Sequence, residues 1–261
     1  MSEIIQKLQE AKRKDKMYAC FIKTETTGVW AEAPITKLTI VKTMVNDPFK
    51  KINEKSWIFN PQTKVSKDAL SASGLTIEEL EKASPMSAAA VQEILGELKD
   101  SILLFWHPSF DATHLLNSFS KCGIKNTFAA AETVSIREMA REYMGEEKYT
   151  FKSACEKAKV TIGNEVPDAE HLRLLFTRII GEYHNGNNIV PFNKYYDKFS
   201  TGLTPDGIIG VRENHELYFL RGKHAGDNIE LHKDYLRWLA EKADVSIDTK
   251  KVVFGFLRGT L

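Results

Sequence analysis

Lys23 and Glu25 stand two apart at the end of an apolar run, in the stretch Met17 to Gly28, MYACFIKTETTG. On a strand, residues i and i+2 project from one face. An ammonium and a carboxylate are therefore displayed together where the run meets the turn Thr26-Thr27-Gly28. Two more carboxylates stand near helix openings, Asp111 in LLFWHPSFDATHLL (103–116) and Asp168 in VPDAEHLRLLFTRII (166–180). Carboxylates delivered by three separate elements are the donor set of two-metal phosphodiester chemistry. In that chemistry two divalent ions roughly 3.5–4 Å apart clamp the attacking and leaving oxygens. For Lys23 and Glu25 alone a plainer reading also stands, a surface ion pair at the end of a sheet.

Such residues need a framework, and the hydrophobic pattern predicts one. After the first strand come a second, Leu38 to Val45, and a third around Trp57 to Phe59, which together form an antiparallel meander. Thr76-Ile77-Glu78-Glu79 is a capping box that opens a short helix. Pro85 and Ser87 start another, with Val91, Ile94, Leu95 and Leu98 at helical spacing. Ile102 to Trp106 is too uniformly apolar to be an edge and reads as a central strand. A helix from about Asp111 turns Leu115, Leu116 and Phe119 inward, and Asn126 to Ala131 is expected as a fifth strand. Helices follow over Ser135 to Met144 and Thr150 to Ala158. A last one, with Asp168 in its first turn and His171 exposed on its side, runs to about Tyr183 on Leu172, Leu175, Phe176 and Ile179.

Taken together, these motifs resemble the DEDD-type 3′–5′ exonucleases of the proofreading, DnaQ-like group. Lys23-Thr24-Glu25-Thr26-Thr27-Gly28 is similar to that family's Asp-x-Glu-Thr-x-Gly except at the opening acid. His107-Pro108-Ser109-Phe110-Asp111 resembles His-Asn-x-x-Phe-Asp, one residue shorter and with proline for asparagine. Phe59-Asn60-Pro61 and Ala72-Ser73-Gly74-Leu75-Thr76 resemble the connecting segment, Glu132-Thr133 stands where the family often has Asp-Thr, and Tyr149-Thr150-Phe151-Lys152 resembles a helix lead-in. Asp168-Ala169 matches the end of the third motif. The resemblance covers roughly residues 17–183 in the family's order. It implies an α/β, ribonuclease H-like mixed sheet, antiparallel meander plus parallel strands, flanked by helices.

By the same resemblance Glu25, Asp111 and Asp168 are the catalytic carboxylates, and Thr26, Thr27 and His107 the nucleic-acid contacts. The departures reverse the functional expectation. Lys23 occupies the place of the aspartate that would touch both metals, and Gly163 and Asn164 occupy the places of the general base. Unit charges about 4 Å apart interact by about 4 kcal/mol at an effective dielectric near 20. Exchanging a carboxylate for an ammonium beside a doubly charged ion therefore costs several times that amount before screening. The leading expectation is a catalytically inactive exonuclease-fold protein, without a cofactor, that binds nucleic acid or protein partners. Two alternatives stay open. One is an active Mg²⁺- or Mn²⁺-dependent 3′–5′ exonuclease, with Glu25 and Asp168 among the ligands and His107 or His171 as base. The other is a structural or assembly protein.

Composition bounds the rest. The chain has 261 residues, 43% hydrophobic and 27% charged, as in ordinary globular proteins. No apolar run approaches the ~20 residues that span a bilayer. The charged start MSEIIQKLQEAKRKDK does not read as a secretory signal, and Cys20, Cys122 and Cys155 are odd in number and widely spaced. These features predict a cytoplasmic protein with reduced thiols and no membrane partner. A net charge of +1 does not advertise a nucleic-acid surface, although it allows a local basic patch. The expected organisation is an N-terminal helix (1–16), the exonuclease-like domain (17–187), a linker (188–204) and a small α+β module (205–261). In that module strands Ile208 to Val211 and Glu216 to Leu220 precede the turn Gly222-Lys223-His224-Ala225-Gly226 and a helix from Tyr235 to Ala243. It resembles a small module sometimes appended to such exonucleases. Its turn reads as a hairpin connection or, alternatively, a phosphate contact through Lys223 and His224. The expected partners are a single-stranded 3′ end and, through this module, proteins.

Overall fold

A computed structural model describes residues 18–30, 32–45, 47–124, 133–145, 149–162, 168–183, 204, 207–211, 216–243, 245 and 247–259. Strand β1 (Tyr18–Thr26) pairs antiparallel with β2 (Ile35–Met44), and β2 with β3 (Asp47–Ile58). Helices α1 (Lys67–Ser73), α2 (Ile77–Lys82) and α3 (Ala88–Leu98) lead to β4 (Ser101–Phe105), which lies parallel to β1. Helix α4 (Pro108–Lys121) returns the chain to β5 (Thr133–Ser135), parallel to β4. The mixed sheet therefore has the order β3-β2-β1-β4-β5. Helices α5 (Ile136–Met144), α6 (Phe151–Lys157) and α7 (Ala169–Arg178) complete this part, and α7 continues through a π turn, Ile179–Tyr183.

Alternation along β1 divides the core. Ala19 and Phe21 face one cluster, where Phe21 meets Phe176 of α7 with ring centroids 5.4 Å apart. Cys20 and Ile22 face the other, against Val91 and Ile94 of α3 and Leu115 and Phe119 of α4. Burial pushes the Cys20 thiol up to about 11 and that of Cys155 up to about 12, so both stay protonated at neutral pH. β3 is an edge strand, largely exposed, whose alternating Lys and Glu do not read as an apolar run. It is therefore much longer than the segment around Trp57 that hydrophobicity alone marks. The fifth strand expected at Asn126 to Ala131 falls outside the described residues, as do the 1–16 helix and all but Thr204 of the 188–204 linker.

A third cluster lies near the C-terminus. β6 (Ile209–Val211) and β7 (Leu217–Phe219) form an antiparallel pair, followed by a 3₁₀ turn (Ile229–His232), α8 (Lys233–Glu241) and α9 (Ile247–Leu257). Phe219, Ile229, Leu236, Leu239 and Val253 pack together there. Helix α9 was not expected, because Val252-Val253-Phe254-Gly255-Phe256-Leu257 is apolar without a helical period. Among the described residues no helix is long and apolar enough to cross a membrane.

Candidate functional site

β1 and β4 run parallel, so their carboxyl ends open on the same edge of the sheet, where α/β folds place ligands. At the end of β1 the register slips between Glu25 and Thr26, a bulge that frees the strand from its ladder. Thr27 N–H then donates to Pro34 O at 3.0 Å, and the Thr26 hydroxyl to Gly28 O at 2.6 Å. A Cβ at Gly28 would meet the half-exposed Trp30 ring, which packs over this glycine.

Lys23 and Glu25 share a face, as their spacing requires. Nζ donates to Glu25 Oε1 at 2.7 Å and also approaches Thr24 O at 3.2 Å. Both side chains are largely covered, 20% and 15% exposed. Burial alone would lower the Lys23 pKa. The attraction of Glu25, then of Asp111, with Asp168 adding to it, outweighs that and holds the ammonium above its ordinary range. Burial pushes the Glu25 carboxyl up, against the pull of Lys23, and Asp111 adds to the push.

Asp111 is reached from the other face. β4 ends at Phe105, and α4 starts at Pro108, at the first helical position where proline's missing N–H costs nothing. Asp111 therefore lies within the first turn of α4, buried, 3% exposed. Its Oδ1 accepts from Thr24 N–H at 3.2 Å and from the Thr24 hydroxyl at 2.7 Å, and Oδ2 accepts from His107 N–H at 3.4 Å. Thr24 points to the face opposite Lys23, so β1 is held on one side by Asp111 and faces α7 on the other.

Asp168 is the N-cap of α7, one position before its first turn, which corrects the expectation from sequence. Its Oδ1 accepts from Glu170 N–H at 2.9 Å and His171 N–H at 3.2 Å, and lies 2.8 Å from His171 Nδ1. Asp168 N–H in turn approaches His171 Nδ1 at 3.2 Å, which makes a reciprocal capping box with histidine in the usual Glu/Gln place. His171 is consequently buried, 9% exposed, and not on the solvent face. The signal was present as Asp-x-x-His, a spacing that reads equally well as a helix face. Gly163 and Asn164 lie outside the described residues.

His107 is half-buried, with Nδ1 2.7 Å from the Ser109 hydroxyl. Burial, then Arg137 and Arg221, lowers its pKa, so a local positive field exists here despite the near-neutral chain. Sequence reasoning did not select these two arginines, because Arg221 arrives from beyond β7. A cavity of about 340 Å³ lies beside them, between Val29, α4 residues Ser109, Phe110 and Thr113, and Arg221 and Tyr235 from the C-terminal part. Thr27 and Thr113 each bury a hydroxyl oxygen that has no hydrogen-bond partner among the described residues.

No protein-family model matches the chain, and no curated protein matches it. Solved structures do. Product-bound exonuclease I superposes with a TM-score of 0.56 at 12% identity, covering 70% of this chain and 46% of that one. E. coli exonuclease I in complex with a dA16 oligonucleotide gives 0.55 at 12%, covering 69% and 42%. The ExoI/SSB-Ct complex gives 0.55 at 12%, covering 70% and 43%. The chain thus spans less than half the length of these nucleases. The likeness is one of fold: a mixed five-stranded sheet flanked by helices, the ribonuclease H-like exonuclease architecture.

Proposed function

We propose that this chain is an exonuclease-fold protein in which an internal ion pair replaces the metal cluster, and that it binds the 3′ end of a single-stranded nucleic acid without cleaving it. The observation that carries the reading is the Lys23 ammonium, 2.7 Å from Glu25 Oε1 and held also by the charges of Asp111 and Asp168. Two magnesium ions would need those carboxylates free and uncompensated. Here Glu25 is committed to Lys23, Asp111 to Thr24 and His107, and Asp168 to the end of α7. The donor set does not fit a two-ion cluster.

Nucleic-acid binding is supported by the cavity beside this site. Phe110 and Tyr235 offer ring surfaces on which an unpaired base can stack, and Arg221 offers a cation for a phosphate. Exonuclease I, which shares the fold, is known in complex with an oligonucleotide.

The test is binding of a 5′-labelled single strand with a free 3′ end, followed by anisotropy across a salt series, together with its integrity in Mg²⁺. The strand is expected to bind and to stay intact. Arg221→Gln is expected to reduce the slope of log affinity against log salt by about 0.7, the value of one phosphate contact on a single strand. An unchanged slope would remove Arg221 from the interface, and a shortened strand would contradict the reading as a whole.

A further inference from the structure

The turn after β7 gathers three side chains that the Lys23 site does not use. Gly222 and Gly226 both have positive φ, 89° and 90°, so the chain reverses tightly through Lys223, His224 and Ala225. The turn is fixed to β7, since Gly226 N–H donates to Phe219 O at 2.7 Å and Phe219 N–H to Asp227 O at 3.0 Å. Asn228 then caps the 3₁₀ turn that carries His232, accepting from Glu230 N–H at 2.8 Å.

This backbone brings the imidazoles of His224 and His232 into a stack, with centroids 3.8 Å apart and planes at 26°. Both rings rest against Phe219, at 6.1 and 6.0 Å, and the Tyr235 ring meets His224 edge-on at 4.8 Å. Asp227 Oδ2 lies 2.8 Å from His232 Nε2 and 3.8 Å from His224 Nδ1. One ligating atom from each of the three residues lies within 4.8 Å of the other two. A histidine–aspartate hydrogen bond explains His232. It leaves unexplained why a second imidazole, too far away to share that bond, presents its nitrogen to the same oxygen.

We propose that His224, Asp227 and His232 form a binding site for a divalent transition metal of the zinc class. Two imidazole nitrogens and one carboxylate are ligands that zinc accepts, whereas magnesium and calcium favour all-oxygen sets. Bonds of about 2.0–2.2 Å in tetrahedral geometry place ligand atoms roughly 3.3–3.6 Å apart. The two aspartate–histidine distances straddle that value, so small side-chain rotations close the site. Asp227, half exposed, leaves the fourth position open to water or to a partner's ligand. The metal would tie the Gly222–Gly226 turn to the 3₁₀ turn. The site is independent of the Lys23 reading and stands or falls without it.

The experiment is calorimetric titration of Zn²⁺ into the chelator-treated full chain. One equivalent is expected to bind. His224→Gln and His232→Gln, which remove ligands outright, are each expected to weaken it by at least about 100-fold, the upper end of what losing an outer-shell partner costs, and Asp227→Asn by at least about tenfold. A reading that needs no variant is the ¹⁵N side-chain spectrum of the wild type. Zn²⁺, but not Mg²⁺, is expected to move the Nδ1 signal of His224 and the Nε2 signal of His232. No uptake, uptake undiminished in both glutamine variants, or two histidine signals that Zn²⁺ leaves unmoved would overturn the proposal.

Discussion

Lys23→Asp is expected to create an Mg²⁺ site at Glu25 and the introduced carboxylate, whereas the wild type is expected to bind none. A single charge–charge increment of about 4 kcal/mol, at an effective dielectric near 20 and about 4 Å, already corresponds to roughly a thousandfold in affinity. The substitution both removes a repulsion and adds an attraction, each against a doubly charged ion. It also changes the energetics of the metal-free fold. Lys23 compensates Glu25, Asp111 and Asp168, so its loss leaves like charges crowded at the end of β1. The variant should therefore melt below the wild type in chelator and regain stability with added Mg²⁺, as linkage requires of a ligand that binds only the folded state. Calorimetry and thermal melts with and without Mg²⁺ check both parts. A variant that binds no Mg²⁺ would mean that Lys23 is not what keeps the ion out.

Asp111→Ala is expected to destabilise the fold by about 3–5 kcal/mol, the range seen when a buried charge partner is removed. The carboxylate is 3% exposed and accepts from Thr24 N–H, the Thr24 hydroxyl and His107 N–H. Alanine strands those buried donors and withdraws one of the charges that hold Lys23. Asp111→Asn keeps an acceptor for Thr24 but turns a donor toward His107 N–H, so it should fall between alanine and wild type. Urea unfolding measures the series. A loss under about 1 kcal/mol for alanine would show that Asp111 does not clamp β1 to α4.

These expectations rest on contacts that the sequence revealed unevenly. Period-two alternation in β1 already placed Lys23 beside Glu25, and the apolar run at Ile102 already marked a buried central strand. The order of motifs identified a sheet whose meander and parallel strands are both present. Contacts made at element ends were less legible. Asp168 and His171 are three residues apart, a spacing shared by a cap and a helix face, and only the position of the helix start decides between them. Thr24, between two charged residues, gains its role only because α4 delivers Asp111 to its hydroxyl. Long-range partners were least legible of all. Arg221 enters the surroundings of His107 from beyond β7, and His232 meets His224 because the chain folds back through Gly226 and the 3₁₀ turn.

The central claim concerns what lies between Glu25, Asp111 and Asp168, and an anomalous difference map from wild-type crystals soaked in manganese addresses it most directly. The account predicts no anomalous peak among those three carboxylates, with continuous density running from the Lys23 side chain to Glu25. Two manganese peaks bridged by Glu25 and Asp168, with the Lys23 amine displaced from between them, would contradict it.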